Sequence, residues 1–237
     1  MKSKFLMGIL FSLIFSEPSY AMHISEGILP FRWALIWWIL ALFFLIWGLR
    51  GLRNYLNRFP ERKPLIGFLG AMVFLFSVLP IPVPIAGTCS HPVGVGFSAI
   101  LIGFSGSIVI GFVVLLLQAL LLAHGGLSSL GANAISMAVI GSLSAFLTYK
   151  ILTQIRLNLY LSAFIAGVLA DWFTYLTTAF QLALALKGEE ALFSLFLKIA
   201  LAFTPTQAPL GLLEGVVTAG IVGVIYKRKP EFLMGRF

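Results

Sequence analysis

The densest group of residues able to do chemistry is Ser19-Tyr20-Ala21-Met22-His23-Ile24-Ser25-Glu26-Gly27. Ser19 and Ala21 are the small residues that flank a cleavage site. They follow a basic start (Lys2, Lys4) and an apolar run from Phe5 to Phe15 that is too short to cross a bilayer with ease. Cleavage after Ala21 makes residues 1–21 a signal peptide and residues 22–237 a single membrane domain that begins at Met22. A freed α-amine titrates near pH ~7.7–8.0, so a metal can displace its protons at neutral pH. With histidine in second place, one metal closes a five-membered ring through that amine and the His23 backbone nitrogen. It closes a six-membered ring through the same nitrogen and the His23 imidazole. Such donors suit nickel, copper, cobalt or zinc, whereas calcium and magnesium prefer oxygen. The same residues read equally as an internal methionine beside an interfacial histidine, and a further ligand on the same side decides between the two.

His91 offers that ligand. It lies in Gly87-Thr88-Cys89-Ser90-His91-Pro92-Val93-Gly94-Val95-Gly96, a rigid loop bracketed by glycines. A solitary loop histidine is more often structural, but opposite Met22-His23 it supplies a fourth nitrogen. Cys89 is the single cysteine, which excludes an internal disulfide framework and any multi-thiolate zinc site; it reads as a small packing residue. His124, in His124-Gly125-Gly126-Leu127-Ser128-Ser129-Leu130-Gly131, is expected to have a structural or supporting role. Asp171 falls inside an apolar span, where a carboxylate is costly and by default functional. Gln118, Trp172, Thr174 and Tyr175 offer it hydrogen bonds, so a cation or proton relay and an internally satisfied aspartate both remain open. No phosphate-binding Gly-Lys-Ser/Thr loop, nucleophile elbow or His-Glu-x-x-His pattern occurs, so an enzyme of the ATPase or protease kind is not expected.

The elements that must position these residues are membrane helices. The chain is 60% hydrophobic and 10% charged, with a mean hydropathy of +1.04. Ordinary soluble domains are roughly 45–50% apolar. The excess of 16 basic over 8 acidic residues falls mostly in loops and marks topology rather than a nucleic-acid partner. The expected fold is an all-α polytopic membrane bundle of about seven helices at roughly 20 residues each. Trp33 to Leu49 forms a first span and Leu65 to Leu79 a second, ended by Pro80-Ile81-Pro82-Val83-Pro84. Phe97 to Ala123 is long for one crossing and short for two. A short helix and a full one, turning at Gly103, Ser105 and Gly106, keep the basic Lys150 to Arg156 loop inside. Ala134 to Tyr149 and Leu157 to Leu186 are further spans. Ala191 to Phe203 reads as re-entrant or interfacial, and Thr204-Pro205-Thr206-Gln207-Ala208-Pro209 as a break before the last span, Leu210 to Tyr226. Arg50, Arg53, Arg58, Arg62 and Lys63 and the closing Lys227-Arg228-Lys229 place the mature N-terminus outside and the C-terminus in the cytoplasm. Gly211, Gly215, Gly220, Gly223, Ala163 and Gly167 recur at spacings that let helices approach closely.

Met22-His23-Ile24-Ser25-Glu26-Gly27-Ile28-Leu29-Pro30 resembles the CbiM family, the substrate-capture membrane subunits of energy-coupling-factor cobalt transporters. Three further stretches carry the resemblance independently: Gly87 to Pro92 with Gly94 and Gly96; Leu116 to Leu127 running on to Gly131-Ala132-Asn133; and Gln207-Ala208-Pro209-Leu210-Gly211 with Glu214-Gly215. In order and spacing the match runs from Met22 to about Lys227. The resemblance implies a seven-helix protein of the cell (inner/cytoplasmic) membrane, with its mature N-terminus inserted into the bundle. Carried over from the similar nickel-capture subunits, the metal ligands are Met22, His23 and His91. It also implies no resident cofactor and no catalysis. The partners it implies are the lipid bilayer, a transmembrane coupling subunit, two ATP-binding subunits and a small accessory membrane subunit. The implied cargo is divalent cobalt for cobalamin synthesis. Nickel is the alternative, since amide nitrogen and a planar four-nitrogen set suit Ni²⁺ better than Co²⁺. A proton-coupled secondary transporter built on Asp171, His124 and Glu214 is the reading from another class.

Overall fold

The computed structural model describes residues 23–79, 81–82 and 89–232; the signal peptide read over residues 1–21, and Met22, lie outside them. The described chain is mostly helical, with one two-residue ladder and short irregular connections. Its helices are α1 (Phe31–Arg58), α2 (Lys63–Val78), α3 (Val95–Leu121), α4 (Leu130–Gln154), α5 (Leu159–Leu186) and α6 (Leu192–Arg228). All but α2 are long and apolar enough to cross a membrane. Leu35, Ile39, Phe43 and Trp47 of α1 and Leu212 and Val216 of α6 lie exposed, as expected of side chains whose solvent is hydrocarbon. The protein is a multi-pass membrane protein.

Two sets of contacts establish which helix ends lie together. At one end Arg62, in the turn between α1 and α2, donates to Tyr55 Oη (3.0 Å) and to the Glu231 carbonyl beyond α6 (2.8 Å). Its guanidinium also lies 4.2 and 5.0 Å from the ring centroids of Phe59 and Phe232. At the opposite end Gln181 of α5 donates to the Ala132 carbonyl at the start of α4 (3.0 Å), and Trp38 of α1 to the Leu127 carbonyl (3.0 Å). Since α4 runs away from that second end, the basic stretches around Arg58, Arg156 and Arg228 gather at the first.

Helix α3 is a hairpin. Gly103 interrupts it at φ 78°, ψ 170°, a conformation open essentially to glycine alone. A short arm, residues 95–102, folds back on a long arm, residues 104–121. The pairing runs antiparallel: Ser98 Oγ meets Ser107 Oγ at 2.6 Å, and Ser107 Oγ donates to the Val95 carbonyl at 3.2 Å. A methyl group placed on Gly111 would meet Val95 Cγ1 at 3.3 Å. Ser107 continues the chain of hydroxyls to Ser142 of α4 (2.8 Å), so the polar groups of the buried turn satisfy one another. At 1.5 Å per residue the short arm rises only about 12 Å and dips into the bundle without crossing it. The turn expected within Phe97 to Ala123 is present at Gly103 and returns the chain to the same end, but the second full crossing read there is not made, because the short arm is too short to span.

Helices α5 and α6 form the closest pair. Asn158 caps α5 by accepting from the N–H groups of Tyr160 (2.9 Å) and Leu161 (3.3 Å). Small residues then let the two helices touch. Gly167 lies against Thr218 and the Glu214 carbonyl, Gly211 against Trp172, Gly215 against Val168 and the Phe164 carbonyl, and Gly223 against Tyr160. The small-residue spacing therefore serves contact within the chain, with Gly220 the exception, since it faces open space.

Two expectations need correction. Pro205 and Pro209 do not break the chain: α6 continues for 37 residues through both. In a bundle, neighbouring side chains satisfy the carbonyls around a proline. Nearby, Tyr175 Oη donates to the Ala200 carbonyl and Trp172 Nε1 to that of Gln207, and these bonds tie this part of α6 to α5. The stretch from Ala191 to Phe203 is accordingly the first part of α6 rather than a separate re-entrant piece. Ahead of His91, Ile81–Pro82 and Cys89–Ser90 pair as a short antiparallel ladder, Ile81 opposite Ser90.

Candidate metal site

The site is assembled from three non-helical stretches at the end opposite the basic turns. The first is residues 23–26, ahead of α1. Asn133 holds Ile24 from both sides, its Oδ1 accepting from the Ile24 N–H (2.9 Å) and its Nδ2 donating to the Ile24 carbonyl (3.1 Å). Ser129 Oγ donates to the same carbonyl, and Glu26 accepts from the Ser128 N–H (3.0 Å). This hydrogen bonding holds the Glu26 carboxyl below its usual range. Gly126 permits the approach, since a Cβ there would lie 2.6 Å from Glu26 Cα. With its neighbour clasped in this way, His23 is directed inward and is 2% exposed.

The second stretch follows the ladder and carries His91, which is 1% exposed. Its Nδ1 lies 3.0 Å from the Pro92 carbonyl. A carbonyl can only accept, so Nδ1 carries the hydrogen and Nε2 presents the lone pair, the arrangement typical of metal-ligating histidines. Gly94, at φ 72°, turns the chain from this stretch into α3, and its N–H donates to Glu214 Oε1 (2.9 Å).

The third stretch leaves the long arm of α3. His124 N–H donates to the Gln118 carbonyl (3.2 Å), and the His124 ring joins the other two. Ring centroids are 4.7 Å apart for His23 and His91, 5.1 Å for His23 and His124, and 5.0 Å for His91 and His124. One ligand nitrogen from each ring lies within 4.8 Å of the others. The Nε2 atoms of all three rings are buried without a hydrogen-bond partner among the described residues.

Burial sets the charge state. It is the main cause pushing His91 down to about 3 and His23 well below the usual imidazole range, with repulsion from the neighbouring imidazoles adding to it. Burial lowers His124 as well. At neutral pH the rings are therefore uncharged, which is the ligand form of imidazole. Two nitrogens bound to one ion at ~2.1 Å can be no more than about 4.2 Å apart, so the widest pair has to draw in by about half an ångström to share a metal. A cluster of neutral imidazoles suits cobalt, nickel, copper or zinc and gives magnesium and calcium little to bind.

Of the residues read from the sequence as ligands, His23 and His91 come together; Met22 precedes the described residues. His124 was expected to stand aside and instead supplies the third ring. Its place follows from the reversal at Gly103, because a hairpin brings the residue before it and the residue after it to one end. Asn133 and Ser129 hold the first stretch in place, and their neighbourhood was marked only by the Gly131-Ala132-Asn133 segment.

A multi-pass helical membrane protein with a buried, all-imidazole cluster near one face belongs to the class that handles transition-metal ions. The sequence profile described as "Cobalt uptake substrate-specific transmembrane region" (CbiM) matches residues 23–232. The chain belongs to the CbiM family. Cobalt transport protein CbiM of Geobacter sulfurreducens is 49% identical over 226 residues, covering 95% of this chain and 65% of that protein, so this chain spans about two thirds of that relative's length. Cobalt transport protein CbiM of Sorangium cellulosum is 47% identical over 212 residues, covering 90% of this chain and 94% of that one. The crystal structure of a truncated transition metal transporter superposes with a TM-score of 0.70 at 25% identity, covering 88% of this chain and 98% of that chain. A second transition metal transporter, at 24% identity and a TM-score of 0.74, shares the fold over 86% of this chain and 92% of its own.

Proposed function

We propose that this chain is the metal-capture subunit of an ATP-driven energy-coupling-factor transporter and takes up divalent cobalt for cobalamin synthesis. The observation that carries the reading is the set of three clustered imidazoles whose buried Nε2 atoms have no partner among the described residues. A buried nitrogen without a partner costs free energy, and a shared cation removes that cost for all three at once. The relatives named as cobalt transport proteins support cobalt as the cargo.

In this reading cleavage after Ala21 frees the α-amine of Met22. That amine, with the backbone nitrogen and imidazole of His23, the imidazole of His91 and the ring of His124, wraps the ion. The mature N-terminus lies outside, inserted into the bundle, and the basic end of the molecule faces the cytoplasm, consistent with the positive-inside rule. With the two arms of α3 counted separately, this reading takes the seven described helical segments as its seven helices, the short arm entering the bundle without crossing it. The chain captures the ion and carries out no catalysis of its own. ATP hydrolysis belongs to two partner subunits, coupled through a transmembrane protein and aided by a small accessory membrane subunit. The all-nitrogen donor set favours nickel as the alternative cargo.

The deciding experiment is N-terminal sequencing and metal analysis of the purified chain, with Co²⁺ and Ni²⁺ in competition. One tightly held ion per chain starting at Met22, lost in His91→Ala, supports the reading; unchanged affinity in that variant would overturn the site. For orientation, single cysteines at Asn57 and Gln154, both exposed at the basic end, are introduced in a Cys89→Ser background. Both should resist an impermeant thiol reagent in whole cells, and labelling at either would reverse the assigned topology.

A further inference from the structure

Deeper than the imidazoles lies a second group of ligand atoms that the capture site does not use. Asp171 of α5 is 0% exposed and Glu214 of α6 is 1% exposed. Neither oxygen of Asp171 has a hydrogen-bond partner among the described residues, nor does Glu214 Oε2 or the hydroxyl of Thr218, one turn further along α6. The two carboxylates lie on α5 and α6, the most closely packed helices among the described residues. Asp171 Oδ2 lies 3.2 Å from the position a Cβ would take on Gly211, and Gly211 precedes Glu214 by one helical turn on the same helix. The remaining oxygen of Glu214 accepts from the Gly94 N–H, three residues after His91. At ~3.3 Å per residue at most, Gly94 lies within about 10 Å of the His91 backbone. Counting 1.5 Å per helical residue, Asp171 is about 18 Å above the start of α5 and Glu214 about 21 Å from the end of α6. The pair therefore sits near mid-membrane, between the imidazole cluster and the basic end.

Two buried carboxylates with no cationic side chain against them among the described residues cannot both stay ionised in a low-dielectric interior. They must take up protons or a cation, and their two formal charges equal those of one divalent ion. The lining also differs in kind from the site above, with carboxylate and hydroxyl oxygens in place of imidazole nitrogens. Oxygen donors hold late first-row ions less selectively than nitrogen donors do and accept Mn²⁺ readily. We propose that Asp171 and Glu214 form a second, weaker divalent-cation site in series with the imidazole cluster. It is linked to that cluster through the Gly94–Glu214 hydrogen bond and is placed to receive the ion on its way to the basic end. The proposal deepens the metal-capture reading and rests on it for the identity of the ion, but not for the existence of the second site.

The test counts Co²⁺ and Mn²⁺ bound to the purified full chain, by equilibrium dialysis with metal analysis, and follows the low-temperature electron paramagnetic resonance of bound Mn²⁺. The wild-type chain is expected to bind two Co²⁺, one tightly and one at least tenfold more weakly, and Mn²⁺ only at the weaker site. Asp171→Asn and Glu214→Gln, near-isosteric changes, should each weaken the second site at least tenfold and abolish the Mn²⁺ signal while leaving the tight Co²⁺ in place. That retained ion also reports that the variants are folded. The double variant His23→Ala/His91→Ala should lose the tight ion and keep Mn²⁺ binding. A wild-type chain that binds only one Co²⁺ and no Mn²⁺ at millimolar concentration overturns the proposal, as does Mn²⁺ binding unaffected in both carboxylate variants. If the histidine variant keeps its tight Co²⁺, the capture reading fails separately.

Discussion

The rings of His91 and His124 stand 5.0 Å apart although the whole of α3 lies between them in sequence. A straight helix of 27 residues would separate its ends by about 40 Å. The reversal at Gly103 removes that distance, so the backbone of one glycine decides whether a metal cluster can form at all.

Gly103→Ala tests that dependence. At φ 78°, ψ 170° a side chain is strained by about 1–3 kcal/mol, and the helical alternative would straighten α3 and part the histidines. The expected result is a lower thermal unfolding midpoint in detergent together with weakened Co²⁺ binding. Gly220→Ala, where a Cβ meets nothing, is the control and should change neither. Equal behaviour of the two variants would count against the hairpin as the device that builds the site.

His124→Ala should behave as loss of a ligand. Removing an outer-sphere partner typically costs 10–100-fold in metal affinity, so a fall of more than a hundredfold, measured by competition with a chelator of known affinity, places His124 on the ion. A drop under tenfold would return it to a structural role.

Helix limits were largely legible from composition. Leu157 to Leu186 was read as a span and α5 covers Leu159–Leu186, because apolar length is what a bilayer selects. Pro205 and Pro209 were read as a break because in water they would be one. Inside a bundle the segment is packed against α5, with Tyr175 and Trp172 bonding the Ala200 and Gln207 carbonyls, and nothing local in the proline segment announces those distant partners. The same limit hid His124. Its own neighbourhood is a glycine-rich loop, and only the turn at Gly103, some twenty residues earlier, carries it to His91. His23 and His91 were legible as a pair because both lie in stretches with little other purpose than to present a side chain.

Asn133→Ala should leave the ligands in place and loosen their support. The change deletes both bonds to Ile24 and strands a buried N–H, at a cost of about 1–3 kcal/mol. Cobalt affinity should fall about 10–100-fold with one tight ion still bound at saturation. Asn133→Asp, which can still accept from the Ile24 N–H, should recover part of the loss. Affinity equal to wild type in Asn133→Ala would show that the clasp does not position His23.

One added alanine between Ala21 and Met22, with processing still after Ala21, separates a terminal chelate from an ordinary histidine cluster. It moves the free amine by one residue and leaves all three imidazoles present. The extra volume in a packed pocket costs a further ~1–3 kcal/mol. Cobalt accumulation by cells carrying the whole transporter should drop nearly as far as in His23→Ala. Undiminished accumulation by a correctly cut, extended chain would remove the amine from the ligand set.

Arg62 carries a consequence for how the protein is made. It is 7% exposed, and its guanidinium is satisfied in part by the Glu231 carbonyl and the Phe232 ring, beyond the end of the last helix. On the ribosome the turn containing Arg62 emerges long before those residues exist. Throughout insertion the first two helices therefore hold a cation whose enclosure is unfinished, and only completion of the chain closes it. A chain that stalls before Glu231 leaves Arg62 without the Glu231 carbonyl and the Phe232 ring, and its guanidinium then has to turn to water or lipid headgroups.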